Sequence, residues 1–150
     1  PDAVRRTVAA PGDALALGPW SATLHGVRHS DTSIAFRFET RTDHGPCTVA
    51  VPGDSGLCDG LVSACRDADL AVLECSLSDQ DAIATHLSPR SLAETMIRAH
   101  CRHVAIVHRY PSVMHLDLES VVLRSTGIGC SVPDDGTVYV YDNVFGIAEA

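Results

Sequence analysis

Lysine is missing altogether. All 11 basic residues are arginine, set against 19 acidic residues and a formal charge of −8. That balance argues against a non-specific nucleic-acid surface, because such binding rests on clustered Lys and Arg. No apolar run approaches the roughly 18 residues of a membrane-spanning helix, and no secretory signal is read at the start, which is Pro1 and not Met. The six cysteines (Cys47, Cys58, Cys65, Cys75, Cys101, Cys130) form no CxxC pair. They fall mostly inside strand or helix patterns and read as reduced core residues of a cytoplasmic protein, not as a disulfide frame or a zinc knuckle. No repeat, low-complexity tract or linker is visible either. What is there suits one domain over residues 1–150: 45% hydrophobic and 20% charged residues, enough to bury a core.

The stretch 47–76 organises the rest. Residues 47–51 predict a short buried strand that ends at Pro52-Gly53-Asp54-Ser55. A helix follows, with Leu57, Leu61, Val62 and Cys65 on one face at helical spacing. Residues 70–73 are a continuous apolar run, the pattern of a parallel strand buried on both faces. This strand–turn–helix–strand unit presents Asp54 at the carboxyl end of its first strand, where ligands tend to bind in open α/β sheets. Asp54 and Ser55 are equally suited to capping the helix. Both readings stand at this point.

Before this unit the chain reads as antiparallel β structure. Residues 7–9 and 14–17 flank a Pro11-Gly12-Asp13 turn, Gly18-Pro19 breaks the chain again, and 20–27 resumes it. Ile34, Phe36 and Phe38 then alternate with Ala35, Arg37 and Glu39, the mark of a half-buried strand. Residues 41–46 form a polar turn into the central unit. After it, 76–85 reads as a loop, and His86-Leu87-Ser88-Pro89 opens a helix. Ser88 suits the N-cap, Pro89 the first helical position, and Ser91 with Glu94 offers a second capping pair. Leu92, Met96 and Ile97 supply its buried face. Residues 104–107 form a second continuous apolar strand, ending at His108, and the repeated helix–strand order places it parallel to 70–73 in one sheet. A helix over 117–125 follows, and 130–132, a turn at 133–136 and 137–141 are expected to close the chain as a hairpin.

Two buried strands thus end in potential metal ligands, Asp54 and His108, while His29 precedes a third strand and His86 starts a helix. Imidazole with carboxylate suits zinc and related divalent metals, and a bound metal can lower the pKa of its water to about 7. Taken singly, each residue also has an ordinary structural reading. His100, Cys101 and His103 straddle a helix end and a strand start, so their side chains should diverge. His25 and His44 read as satisfied or solvated, Asp79 and Asp81 as surface charge, and Tyr139 and Tyr141 as one face of an edge strand. Gly127–Gly129 is too short for a phosphate cradle.

The order of these residues is specific as a set. The segments RHSDTSIAFRFE (28–39), VAVPGDSGLCDGLVSACRDADLAVLECS (49–76), HLSPRSLAETMIRAH (86–100) and HVAIVHRYP (103–111) resemble the C-terminal half of the metallo-β-lactamase-fold hydrolases, in the ribonuclease Z and small-phosphodiesterase branch. The resemblance runs from about residue 14 to 141. It implies an α/β (α+β) fold, half of an αββα sandwich, with a mixed sheet and helices on one face. It also implies a metal-dependent hydrolase acting on a phosphodiester, or on an ester, through a metal-bound hydroxide, and the acidic, lysine-free chain, with no evident basic arm for a polynucleotide, favours a small substrate. His29 would ligate a first metal, Asp54 would bridge two, and His108 would ligate the second, with zinc, manganese or iron as the ion. His86 matches a histidine that helps protonate the leaving oxygen, and Glu74 an acidic position that supports it. A carboxylate-held histidine beside two cations is chemically coherent as a general acid.

The departures define the rest of the expectation. The family's HxHxDH motif, which carries most of the ligands, is absent from this sequence. Ser55 stands where the family usually has Thr, and Leu73 where ribonuclease Z has His. The three ligands could hold one metal but not build the usual dinuclear site. The expectation is therefore an enzyme half that needs a complementary N-terminal half, or a homo-oligomer, for full activity. The alternative is a non-catalytic binding or scaffold subunit that keeps half of the fold. The sheet face bared by the missing half would be an association surface under either reading.

Overall fold

The structure, a computed structural model, describes residues 8–142 and 146–149. A single mixed sheet of seven strands dominates it, and the spatial order of the strands is their order in the chain. β1 (Ala14–Leu17), β2 (Trp20–Gly26), β3 (Ile34–Thr42) and β4 (Gly45–Val51) run antiparallel as a meander. β5 (Leu70–Glu74), β6 (His103–Val107) and β7 (Gly129–Ser131) then add in parallel to β4 and to one another. The change of direction at β4 follows from the connections. Short turns join the first four strands, whereas a parallel neighbour needs a crossover. α1 (Asp59–Cys65), α2 (Pro89–Ala99) and α3 (Leu118–Thr126) supply those crossovers.

The helices share one face of the sheet. Ala50, Ala71, Leu73, Val104 and Ile106 from the strands pack there against Leu61, Val62, Leu92, Met96, Leu118 and Val122 from the helices. The opposite face carries Phe36 and Phe38, stacked with ring centroids 5.8 Å apart, with Trp20 edge-on to Phe38 at 6.5 Å. Cross-strand register places Val49 and Val51 beside these rings. Leu17, Trp20, Phe38 and Val49 line an open hollow of about 330 Å³ on this face, and Leu17 and Val51 are exposed. No helix among the described residues is long and apolar enough to cross a membrane.

Several local expectations need correction. Thr7 lies outside the described residues, and Val8 and Ala9 are not in a strand. In α2 the residue facing inward near the C-terminus is Ala99, while Ile97 is about half exposed. Ser91 pairs with Ser88 and not with Glu94: the Ser88 backbone N–H donates to Ser91 Oγ at 2.8 Å. The C-terminal hairpin is also shifted. β7 joins the main sheet beside β6, and β8 (Tyr139–Asp142) pairs with β9 (Gly146–Glu149). The α3 crossover makes a parallel partner for β6 available, and that partner takes up the segment expected to turn back on 137–141.

Candidate metal centre

The site is built at the carboxyl ends of β4, β5 and β6, where three neighbouring parallel strands release their chains side by side. β4 ends in a turn that Gly53 enters with φ 65°, a left-handed conformation that glycine adopts without the Cβ penalty. Asp54 follows, half-buried. The helix it precedes begins later than the Asp54–Ser55 pair, with Cys58 at its N-cap and no capping side chain. Asp54 does not cap α1. Its Oδ1 lies instead 2.8 Å from His108 Nδ1. His108 itself leaves β6 at φ 45°, uncommon for a residue with a Cβ, and its exposed ring meets Tyr110 edge-on at 5.0 Å.

Glu74, the last residue of β5, is 2% exposed. A carboxylate so deeply buried must be satisfied by hydrogen bonds, and it is. The Ser55 backbone N–H donates to its Oε1 at 2.8 Å, Ser76 Oγ donates to its Oε2, and His86 Nδ1 lies 2.9–3.0 Å from both oxygens. Ser76 Oγ also lies 3.1 Å from the His108 carbonyl oxygen. Glu74 is thus the hub that fixes the Asp54 turn, the His86 ring and the His108 segment together. Next to it, burial and the Glu74 charge push the Cys75 thiol up to about 12, an inert core group and not a ligand.

His29 reaches the same place from the β2–β3 loop. Three backbone contacts hold it: the Arg28 carbonyl accepts from Gly56 N–H at 2.9 Å, the Arg28 N–H donates to Ser55 Oγ at 3.3 Å, and His29 Nδ1 lies 3.3 Å from the Thr85 carbonyl oxygen. Gly56 is required here by close approach, since a Cβ would stand 1.8 Å from the Ala84 carbonyl oxygen. The His29 and His86 rings are 4.9 Å apart, centre to centre, and His86 is 6.1 Å from His108.

The expected residues therefore converge, with one addition. Ligand atoms of His29, Asp54 and His86 lie within 4.8 Å of one another, and so do those of Glu74, His86 and His108. His86, to which the resemblance gives a proton-donating role, belongs to both groups, and no group among the described residues holds both His29 and His108. The donor chemistry fits a metal. With Nδ1 turned to Glu74, the His86 Nε2 is left for an ion or a substrate, the usual arrangement of a carboxylate-oriented ligating histidine. Glu74 is spent on its three donors and orients the site without joining it. Ser76 was not singled out from the sequence; the i, i+2 spacing from a strand-final Glu was the signal that could have found it. His100, Cys101 and His103 diverge as expected. His100 ends α2 exposed in the left-handed region, Cys101 is buried, and His103 Nε2 lies 3.1 Å from Ser131 Oγ.

Comparison with solved structures places the fold. YhfI from Bacillus subtilis, a metallo-β-lactamase fold protein, aligns with 96% of this chain and 55% of its own, at a TM-score of 0.74 and 22% identity. The chain has one half of the metallo-β-lactamase fold. A diphosphatase of the PhnP family shares this fold over 83% of the chain and 45% of its own, with a TM-score of 0.60 and 17% identity. The long-form RNase Z from yeast matches 64% of the chain and 14% of its own, at 0.55 and 19%. Further neighbours are described as a metal-dependent hydrolase from Parabacteroides distasonis, the metallo hydrolase Igni18 from Ignicoccus hospitalis and a Zn-dependent hydrolase of the metallo-β-lactamase superfamily from Thermotoga maritima. The chain spans about half the length of YhfI. No family model and no curated protein matches the sequence. The two groups of His, Asp and Glu ligand atoms are the feature of this chain that could hold a metal cofactor.

Proposed function

We propose that the chain supplies one half of a metal-dependent phosphodiesterase centre, with small phosphodiesters as substrates. The observation that carries this reading is the Glu74–His86 pair set directly against the Asp54–His108 pair, two carboxylate–histidine couples meeting at three strand ends. His29 would hold one metal, His108 a second, and Asp54 would serve both, with zinc the natural choice for such nitrogen and oxygen donors and manganese or iron as alternatives. When bound, the metal supplies Lewis-acid polarisation of the phosphoryl oxygen. Glu74 holds a proton on His86 Nδ1 and fixes the ring, and His86 Nε2 delivers a proton to the leaving oxygen. Tyr110, 6.1 Å from His86 and 5.0 Å from His108, walls the two rings off on one side.

The remaining ligands of a dinuclear site come from a complementary half, either a further segment or another copy. That partner covers the face bearing Leu17, Trp20, Phe38 and Val49, whose exposed apolar area favours association. All six cysteines are unpaired, which suits a reducing cytoplasmic compartment. The test is metal content of the purified chain by elemental mass spectrometry, beside Asp54→Ala. Near-stoichiometric zinc, manganese or iron lost in the variant supports the reading, and turnover of bis-p-nitrophenyl phosphate or cyclic AMP in the completed protein extends it. A chain that takes up no metal and is unaltered by the substitution refutes it. The scaffold reading would then follow, tested by whether light scattering finds a stable assembly.

A further inference from the structure

Beside the metal centre lies a second cavity of about 360 Å³, framed by the 78–86 loop and the start of α2. Its size falls in the roughly 300–1,000 Å³ range of small-molecule sites. His86 forms part of its wall, so the cavity opens on the ring that faces the leaving oxygen. Leu57, Ile83 and Ala84 give it an apolar side, and Arg28 and Arg90 stand at its rim. Asp79 and Glu94 also line it. Asp79 Oδ1 accepts the Arg90 backbone N–H at 3.0 Å, and Glu94 lies 3.7 Å from Arg98, whose nearer partner is Asp59 at 2.6 Å. Neither the Arg28 nor the Arg90 guanidinium has an ion pair among the described residues. Arg28 and Arg90 are therefore the lining cations free to meet a ligand, and a guanidinium binds phosphate bidentately.

We infer that this cavity receives the leaving-group side of the substrate, and that the leaving alcohol is itself an organic phosphate. Its apolar part lies on Leu57 and Ile83, and its second phosphate is held by Arg28 and Arg90. This inference rests on the phosphodiesterase reading for its orientation, since His86 defines the leaving side. The walls are held by the backbone contacts that also place His29, namely Gly56 against Ala84 and Arg28, so the cavity is built with the site and does not need the metal to form.

The test uses phenyl phosphate, an apolar ring carrying one phosphate, titrated calorimetrically into the full chain stripped of metal with chelator. The double variant Arg28→Gln/Arg90→Gln should weaken binding about tenfold or more, as expected for losing hydrogen bonds to a charged group. Raising the salt should weaken wild-type binding and leave the variant almost unmoved. Inorganic phosphate should bind more weakly than phenyl phosphate, because it makes no use of the apolar wall. Both arginines are exposed, so the variants should fold, and circular dichroism checks that they do. Equal affinity of variant and wild type would overturn the inference, as would equal binding of inorganic and phenyl phosphate. Phenyl phosphate binding in a chain that never takes up metal would instead sink the phosphodiesterase reading and leave an organophosphate site standing.

Discussion

Replacing Gly56 by alanine adds one methyl group at the most crowded backbone contact of the site. The new Cβ would stand 1.8 Å from the Ala84 carbonyl oxygen and 2.7 Å from its carbon. Carbon and oxygen do not approach much closer than about 3.3 Å, so the loop must retreat by about 1.5 Å. The obstructing atoms are backbone, and no rotamer change relieves them. Overpacking of this kind costs typically about 1–3 kcal/mol, and a backbone clash belongs at the upper end. For a chain of this length each kcal/mol lowers Tm by about 2–4 °C, so Gly56→Ala should melt about 6–12 °C below wild type by calorimetry. The same retreat moves Thr85, whose carbonyl meets His29 Nδ1, and His86, one residue on. A shift of about 1 Å at a catalytic group costs on the order of a hundredfold in rate, and metal uptake should fall in parallel. A variant that melted within about 1 °C of wild type and bound metal equally would refute the claim that this contact sets the loop.

Two further perturbations probe the carboxylate hub and a histidine remote from it. Glu74→Gln keeps the shape but cannot accept from the Ser55 N–H, Ser76 Oγ and His86 Nδ1 together; losing charge-assisted bonds in a buried site should cost about 2–4 kcal/mol. Thermal melting would show it, and a Tm unchanged within about 1 °C would mean that the network is ornamental. His25 is held below its ordinary value by burial and then by the Arg37 charge, with Glu39 opposing, and its Nε2 has no partner among the described residues. Protonation therefore favours the unfolded chain, and stability should be lost as pH falls from about 6.5 towards the lower folded-state pKa. Melting curves between pH 5 and about 7.5 should show a shallower slope for His25→Gln than for wild type; parallel slopes would exclude His25 as the source.

Much of this was readable in advance, and the reasons are local. Residues 70–73 and 104–107 are unbroken apolar runs because each strand is buried on both faces, so their parallel pairing could be expected. Pro89 after Ser88 marks the start of α2 because proline has no N–H to leave unsatisfied there. The end of the chain differs from the expected hairpin because a three-residue strand such as β7 carries too little periodicity to reveal its partner. Ile97 departs from the expected buried face because a short helix tolerates one exposed isoleucine at the boundary of its stripe. In the site, Asp54, His86 and His108 were legible from strand ends and a helix start. The Ser76 contact with the His108 carbonyl and the crowding at Gly56 are not, because both depend on segments about 30 residues apart meeting at one point.

The switch at β4 from antiparallel to parallel pairing has a consequence for the order of folding. β1 to β4 find their partners across turns of a few residues, while β5 must wait for α1, β6 for α2 and β7 for α3. Non-local pairings return nothing until the entropy of closing their loops has been met. The meander is therefore the fast element, and β4 is the template on which the slow one grows. Asp54 is in place with the first, but Glu74 and His108 arrive only with the second, so a ribosome-bound or truncated chain stopped before β6 holds a folded ribbon and no site.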